Sequence, residues 1–215
     1  MNLSITLIII ILTCIVSING FSNRKIIHEL IFYPPAITEN NQWYRFFTCG
    51  FIHADYAHLA FNMYALYLFG SSVENAFITI FEPYGKILYI ALYVSALLVS
   101  LLPTFNKHKE DSNYRSLGAS GAVSAVVFAY ILLFPLQKLG IIFLPFFIPG
   151  FIFGLLYLVI SSFMGKKGVD NINHSAHIWG GIYGFVYLIV LSDIISDFPV
   201  LPKFISEVTG YLNSL

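Results

Sequence analysis

Long uncharged apolar runs constrain this sequence more than any other feature. A membrane-crossing α-helix needs about 17–25 mostly apolar residues to cover roughly 30 Å of hydrocarbon. Six such runs occur among the 215 residues, and we place the spans at about 3–18, 56–80, 87–105, 117–136, 139–164 and 176–194. With 58% hydrophobic and 10% charged residues, a chain of this size cannot hide its apolar surface from water in a soluble core. The sequence therefore predicts an all-α polytopic membrane protein with one domain over residues 1–215.

Charge and cysteine content exclude several other classes of protein. Eleven basic and eleven acidic residues give a formal net charge of zero, so there is no basic surface for nucleic acid. Cys14 and Cys49 are the only cysteines, too few for a zinc cluster. We therefore expect no cofactor, no metal and no nucleic-acid partner, and the lipid bilayer as the environment. The residue pattern favours no particular oligomeric state.

Two of the six runs allow a second interpretation. The first run is compatible with a signal peptide, but residues 1–6 contain no Lys or Arg and no small-x-small cleavage pattern follows. A retained span is therefore favoured. The fifth run carries Pro145 and Pro149, and proline removes a helical hydrogen bond and kinks a helix. This run is either a mobile helix beside the sixth span or a loop followed by a shorter helix from Phe151.

Polar residues occur at the beginning of the second, fourth and sixth spans. Consecutive spans alternate in direction, so these three beginnings lie on one face of the membrane. His58 and Asn62 open the second span, Ser120 opens the fourth and His177 opens the sixth. Strongly polar groups within a span are costly in lipid and typically mark functional sites. Their similar depth predicts one site rather than three separate ones.

This set of side chains is suited to acyl transfer. A serine nucleophile needs a general base, and a neutral imidazole is the usual one near pH 7. His58 and Asn62 are four residues apart, so they share a helix face and can donate hydrogen bonds to one oxygen. Ser120 lies in the first turn of its helix, where unpaired N–H groups and the helix dipole favour a developing negative charge. Gly118 and Gly121 leave room on both sides of it.

Each of these residues also has a purely structural interpretation. Small residues at a spacing of four, such as Gly180 and Gly184, are typical of close helix packing. A single His or Asn can also simply form a hydrogen bond between helices. A zinc site on His53, His58 and His177 is a weaker alternative, because acidic ligands are missing. The joint placement of the polar residues favours a catalytic site.

In chain order, these motifs resemble the rhomboid family of intramembrane serine proteases. Residues 53–62 resemble its H-x4-H-x3-N signature, residues 118–121 its G-x-S-G nucleophile motif, and residues 176–180 its A-H-x-x-G motif. The resemblance extends over about residues 43–185. G-x-S-G alone would be a weak signal, whereas three helices together are specific.

The resemblance implies a six-transmembrane-helix rhomboid-like bundle and a serine endopeptidase that cleaves transmembrane protein substrates. Ser120 would attack the peptide carbonyl and His177 would transfer the proton, as a dyad without an acidic third member. His58, Asn62 and the backbone N–H of Ser120 would line the oxyanion hole. The residues expected to support this site are His53, Gly118, Gly121, Gly180, Gly184, Arg45 and Glu74.

The sequence departs from the family pattern at several points. Arg45 follows Tyr44 where the family's first loop has Trp-Arg, while Gly70 and Glu74 match its G-x3-E. One turn after the nucleophile, family members often carry an aromatic residue that stacks on the histidine, and here that residue is Ser124. A hydroxyl there would leave the imidazole less constrained or would bind a water.

The distribution of basic residues predicts a membrane orientation opposite to the one that the resemblance implies. All basic residues except Lys86, Lys138 and Lys203 lie on the predicted site face. The positive-inside rule would place that face in the cytoplasm. The resemblance instead implies a multi-pass protein of the bacterial inner membrane with its active site facing outward. We follow the resemblance because the long first loop, about residues 19–55, is expected to fold onto the membrane.

Two other functions compete with proteolysis. A catalytically inactive rhomboid-like protein that binds membrane clients has no need for both Ser120 and His177. A small transporter or channel needs polar residues through the whole membrane. Below Ser124 and Gly184, however, the fourth and sixth spans are almost wholly apolar.

Overall fold

The computed structural model describes residues 4–140, 147–167 and 172–215, and most of them are helical. The helices are α1 (Ile5–Ser22), α2 (Arg24–Leu30), α3 (Pro34–Asn40), α4 (Arg45–Thr48), α5 (Tyr56–Ile80), α6 (Gly85–Val99), α7 (Leu102–His108), α8 (Ser120–Leu133), α9 (Gly150–Lys167), α10 (His174–Ile195) and α11 (Val200–Asn213). A 3₁₀ turn covers Cys49–Phe51. Two short antiparallel strands, β1 (Lys138–Gly140) and β2 (Phe147–Pro149), pair between α8 and α9.

Several of these helices have the length and apolar composition of membrane spans. Within the described residues, four segments are long and apolar enough to cross a membrane: α1, the segment from α6 to α7, α9 and α10. The 25-residue α5 is longer but carries more polar side chains, and α8 is apolar but shorter. Large apolar side chains on the outer faces, such as Ile15 and Val159, are exposed, as expected for contact with lipid. The protein is an all-α polytopic integral membrane protein.

Helix α8 lies at the centre of the bundle. Twelve of its 14 residues are buried, and α5, α6, α9 and α10 all pack against it. At 1.5 Å per residue, a 14-residue helix is about 21 Å long, shorter than the roughly 30 Å of hydrocarbon. At least one end of α8 must therefore lie below the surface of the membrane.

A buried carboxylate joins α1 to α5. Glu74 is 3% exposed and accepts hydrogen bonds from the backbone N–H groups of Ile5 at 2.8 Å and Thr6 at 2.9 Å, and from the Thr6 hydroxyl at 2.7 Å. The same hydroxyl lies 2.8 Å from the Tyr89 hydroxyl. A Cβ atom at Gly70 would lie 2.8 Å from both Thr6 and Tyr89. Glu74 therefore caps the helix N-terminus, where N–H groups lack partners and the dipole favours a negative charge.

Two predicted spans differ from the structure. The span at 87–105 consists of α6 and α7, because Pro103 has no N–H to donate to the carbonyl of Val99. The span at 139–164 becomes a helix only at Gly150, because residues 138–140 pair with residues 147–149 as strands. The alternative of a shorter helix from about residue 151 is nearer to the structure. Pro145 lies outside the described residues.

Helix α11 lies beyond the last predicted span. Its Phe204 ring packs edge-on against Phe185 of α10 with centroids 5.5 Å apart, and its Tyr211 ring lies 5.9 Å from Phe151 of α9. The helix is amphipathic, with an apolar side toward the bundle and a polar side away from it. Such a helix contains no long uninterrupted apolar run, because only one of its faces is apolar.

Candidate active site

The residues just before α8 are held by the first loop. Ser116 and Phe32 exchange two backbone hydrogen bonds of 3.1 and 3.0 Å, and the N–H of Gly118 donates to the carbonyl of Cys49 at 2.9 Å. Gly118 has a φ of 112°, a conformation that residues with a side chain rarely adopt. These contacts determine the position of Ser120, the first residue of α8.

His53 connects α1, the first loop and the segment before α8. The Ser17 hydroxyl donates to the carbonyl of Phe51 at 2.8 Å, so the imidazole is the donor in the 2.9 Å contact between Ser17 Oγ and His53 Nδ1. Nε2 is then unprotonated and accepts the N–H of Ala119 at 3.4 Å. His53 is 1% exposed, and this burial, with the nearby His58, lowers the pKa of His53 to about 3. The neutral ring therefore has a structural role next to the start of α8.

The structure brings His58 against the residues that precede Ser120. A Cβ atom at Gly118 would lie 2.8 Å from His58 Nε2, so the imidazole packs directly on that glycine. The ring also meets His53 edge-on, with centroids 4.9 Å apart. Nδ1 of His58 lies 3.5 Å from the N–H of Ala54, which favours the tautomer with the proton on Nε2. A hydrogen-bond donor thus lies next to the start of α8.

Further donors surround the first turn of α8. No side chain caps this helix, and its first intrahelical bond runs from Val123 to Ala119 at 2.9 Å. The N–H groups of the first three residues therefore have no intrahelical acceptor. Asn62 is buried one turn deeper than His58, and its amide donates to the His58 carbonyl at 3.2 Å. One of the two amide protons of Asn62 is used in that bond.

Helix α10 carries His177 to the same end of α8. A Cβ atom at Gly180 would lie 2.1 Å from the carbonyl oxygen of Gly121, and one at Gly184 would lie 2.1 Å from the carbonyl oxygen of Ala125. The two backbones are therefore in direct contact along two turns, which only glycine permits. Among the described residues, Ser120 Oγ makes no direct hydrogen bond to the imidazole of His177.

The start of α10 is fixed by its own cap. The side-chain oxygen of Asn173 accepts the N–H of Ala176 at 3.1 Å and the hydroxyl of Thr104 at 3.1 Å. A cavity of about 10 Å³ lies between this cap and Ser120, and Ser100 also lines it. Its volume suits a single water molecule.

Sequence reasoning missed one neighbour of His177. The ring of Tyr157, on α9, is nearly parallel to the imidazole, at 23° with centroids 6.1 Å apart. Its hydroxyl lies 2.7 Å from Ser124 Oγ. An aromatic ring therefore reaches the histidine from α9, whereas the family pattern places it on the helix of Ser120. The one signal in the sequence was the buried hydroxyl of Ser124, which needs a partner.

Arg45 organises the first loop. It is 5% exposed and donates to the carbonyls of His28 at 3.0 Å and Ile31 at 2.7 Å, and to the Gln42 side chain at 2.6 Å. Its charge is thus used inside the loop that holds the segment before Ser120. The other predicted support residue, Glu74, is bonded at the α1–α5 contact.

Residues 40–194 match the protein-family model described as Rhomboid domain. The chain belongs to the rhomboid family. The matched segment includes every predicted site residue, from Arg45 to Gly184. The protein is thus a rhomboid-family integral membrane protein with several spans.

Named relatives include both bacterial and mitochondrial rhomboid proteins. The human mitochondrial presenilin-associated rhomboid-like protein is 32% identical over 140 residues, which cover 64% of this chain and 35% of that protein. The putative rhomboid protease YdcA of Bacillus subtilis is 26% identical over 167 residues, covering 74% and 75%. The rhomboid protease GluP of the same organism is 27% identical over 150 residues, covering 70% and 26%. The aligned region spans about a third of the length of the presenilin-associated relatives.

Proposed function

We propose that this rhomboid protein is an intramembrane serine endopeptidase that hydrolyses peptide bonds in or near the transmembrane segments of membrane-protein substrates. The observation that carries the proposal is the backbone contact between Gly121 and Gly180, which follow Ser120 by one residue and His177 by three at the beginnings of α8 and α10. Bacterial relatives named as rhomboid proteases support the same class of activity.

The proposed reaction follows from the roles that these groups can take. Ser120 Oγ attacks the substrate carbonyl carbon while His177 accepts the hydroxyl proton. The resulting oxyanion accepts hydrogen bonds from the N–H of Ser120, from Nε2–H of His58 and from the remaining amide proton of Asn62. His177 then donates its proton to the leaving amine. A water, deprotonated by the same imidazole, hydrolyses the acyl-enzyme and regenerates Ser120.

The depth of α8 suits a substrate that lies in the bilayer. Because α8 is about 9 Å shorter than the hydrocarbon thickness, we place its Ser120 end below the membrane surface, where a transmembrane segment can reach it. The small cavity lined by Ser120 supports this proposal, because its volume suits a water molecule for the hydrolytic step. The proposed reaction uses no metal ion.

For localisation we propose the bacterial inner membrane, with the active site facing outward. The basic residues on the site face argue for the opposite orientation. Arg45, however, is buried within the first loop and bonded to its carbonyls, so its charge contributes little to that face. Fusion of a reporter to each loop would test this orientation, and a cytoplasmic loop 116–119 would contradict it.

Cleavage by purified protein in liposomes tests the function. The substrate is a single-span protein with small residues near one end of the span, and the variants are Ser120→Ala and His177→Ala. Exposed residues of the same types provide matched controls, Ser112→Ala and His28→Ala. We expect wild type and controls to cleave, and each dyad variant to lose at least about 10³-fold in kcat.

Two results would contradict the proposal. Cleavage by Ser120→Ala at the wild-type rate would remove the serine from the mechanism. Stable capture of the intact substrate by wild type, with no product from any variant, would favour the inactive client-binding alternative.

A further inference from the structure

A third helix completes the surroundings of the proposed general base. We infer that the pair formed by Tyr157 of α9 and Ser124 of α8 positions the imidazole of His177 for proton transfer. This inference rests on the proposed function of Ser120 and His177 and assigns a positioning role to two residues that do not react.

Four contacts hold the Tyr157 side chain in place. Its hydroxyl is 2.7 Å from Ser124 Oγ, and its ring lies against Phe128 with centroids 5.7 Å apart at 61° and against Phe153 at 6.3 Å and 26°. The fourth contact is the nearly parallel imidazole of His177. Tyrosine has only two rotatable side-chain bonds, and contacts on the ring and at the hydroxyl restrict both of them. Tyr157 is thus a fixed surface rather than a mobile neighbour.

A fixed ring beside the imidazole restricts the motion that matters for catalysis. The histidine side chain turns about two bonds, and a general base must keep one ring nitrogen within about 3 Å of the proton that it accepts. A nearly parallel, offset aromatic ring, with its centroid 6.1 Å from that of the imidazole, restricts rotation of the imidazole toward that side. In soluble serine proteases the orientation of the histidine is secured by a carboxylate. The packing of Tyr157 beside the imidazole contributes to orientation in a different way, through an aromatic ring.

The hydrogen bond to Ser124 determines how far Tyr157 can shift. Ser124 is one turn after Ser120 on the same helix, so the bond ties the aromatic ring to the helix that carries the nucleophile. The nucleophile, the base and the ring that orients the base are thereby connected across α8, α10 and α9. The side chains of Leu155, Val159 and Ile160 are exposed, so much of α9 faces lipid. Tyr157 therefore holds His177 only while the remaining side of α9 packs on α8.

The test compares four single variants and one double variant with wild type in the liposome assay. Tyr157→Leu removes the ring, Tyr157→Phe keeps the ring without the hydroxyl, and Ser124→Ala removes the partner hydroxyl. Phe163→Leu is the matched control, an aromatic residue of α9 that is exposed. We expect Tyr157→Leu to lower kcat about 10- to 100-fold with KM changed less than about twofold, as for a small misplacement of a catalytic group. Phe163→Leu should leave both constants unchanged.

The conservative variants separate positioning from folding. Tyr157→Phe and Ser124→Ala should each lower kcat by about two- to fivefold, and the double variant should lose no more than either single one, because both remove the same bond. The rate of fluorophosphonate labelling of Ser120 should fall in the same order. Tyr157→Phe and Ser124→Ala should change the midpoint of thermal unfolding far less than they change kcat.

Specific results would overturn the inference. The first is a wild-type kcat for Tyr157→Leu, and the second is an effect of that variant on KM rather than on kcat. The third is an additive loss of kcat in the double variant, and the fourth is a loss of kcat in Phe163→Leu equal to that in Tyr157→Leu. If wild type neither cleaves nor is labelled at Ser120, the proposed function fails first and the positioning role fails with it. Active wild type with an equally active Tyr157→Leu removes only the positioning role.

Discussion

Replacement of Gly180 by alanine should separate the two helices that carry the proposed dyad. The new Cβ would lie 2.1 Å from the carbonyl oxygen of Gly121, 2.8 Å from its carbonyl carbon and 3.1 Å from its Cα. All three are backbone atoms, so no side-chain rotation can relieve the contact. Carbon and oxygen atoms normally approach to no less than about 3.3 Å. Helix α10 must therefore move from α8 by roughly 1 Å.

Two opposing effects determine how Gly180→Ala changes the free energy of unfolding. In a helix interior, alanine is favoured over glycine by about 1 kcal/mol, whereas overpacking a close contact costs about 1–3 kcal/mol. We therefore expect Gly180→Ala to lower the free energy of unfolding by up to about 2 kcal/mol. His177 lies three residues before Gly180 on α10, so the same shift moves the base from Ser120. A displacement near 1 Å can cost about 100-fold in rate.

The assay measures kcat/KM with a transmembrane substrate and the midpoint of thermal unfolding. Gly210→Ala is the matched control, because nothing lies within 4 Å of a Cβ atom at Gly210 on α11. It should keep full activity and an equal or slightly higher midpoint. If Gly180→Ala retained wild-type activity and stability, the close backbone contact would not be what holds the two helices together.

Three other substitutions test the surroundings of the site. Glu74→Gln should lower the free energy of unfolding by about 1–3 kcal/mol, because a buried acceptor of three hydrogen bonds is weakened; Glu29→Gln, at an exposed position, should change it little. His53→Gln should flatten the dependence of the unfolding midpoint on pH between about 6.5 and 3. With the pKa of His53 lowered to about 3 in the folded state, the unfolded state binds the extra proton and wild-type stability falls as the pH falls through that window; an unchanged slope would contradict this. Arg45→Lys should lower the midpoint, since a lysine cannot make all three bonds of the guanidinium, and an unaltered midpoint would show that these bonds do not stabilise the first loop.

The sequence was sufficient to predict the helices that carry the proposed dyad, for a physical reason. Ser120 and His177 are polar residues at the ends of apolar segments, and parity along the chain assigns them to one membrane face. The beginning of α9 was not predicted correctly, because an apolar run around residues 139–149 is equally compatible with a strand and with a buried helix. Helix α11 was missed because it is apolar on one side only.

Contacts between residues far apart along the chain could not be predicted from a single sequence. Tyr157 and Ser124 are 33 positions apart, and no spacing or composition links them. The importance of Glu74 was suggested by resemblance alone, and its physical role appeared only when the structure placed it at the start of α1. His53 likewise required the positions of Ser17 and Ala119 before its tautomer could be assigned.

Mapping of a fluorophosphonate adduct tests the central claim most directly. The purified protein would be labelled in detergent and digested, and the modified serine identified by mass spectrometry in wild type and in His177→Ala. We expect the adduct on Ser120 in wild type and none in the variant, because the hydroxyl is a weak nucleophile without a base. An adduct on another serine such as Ser124, or equal labelling of Ser120 without His177, would contradict a dyad formed by these two residues.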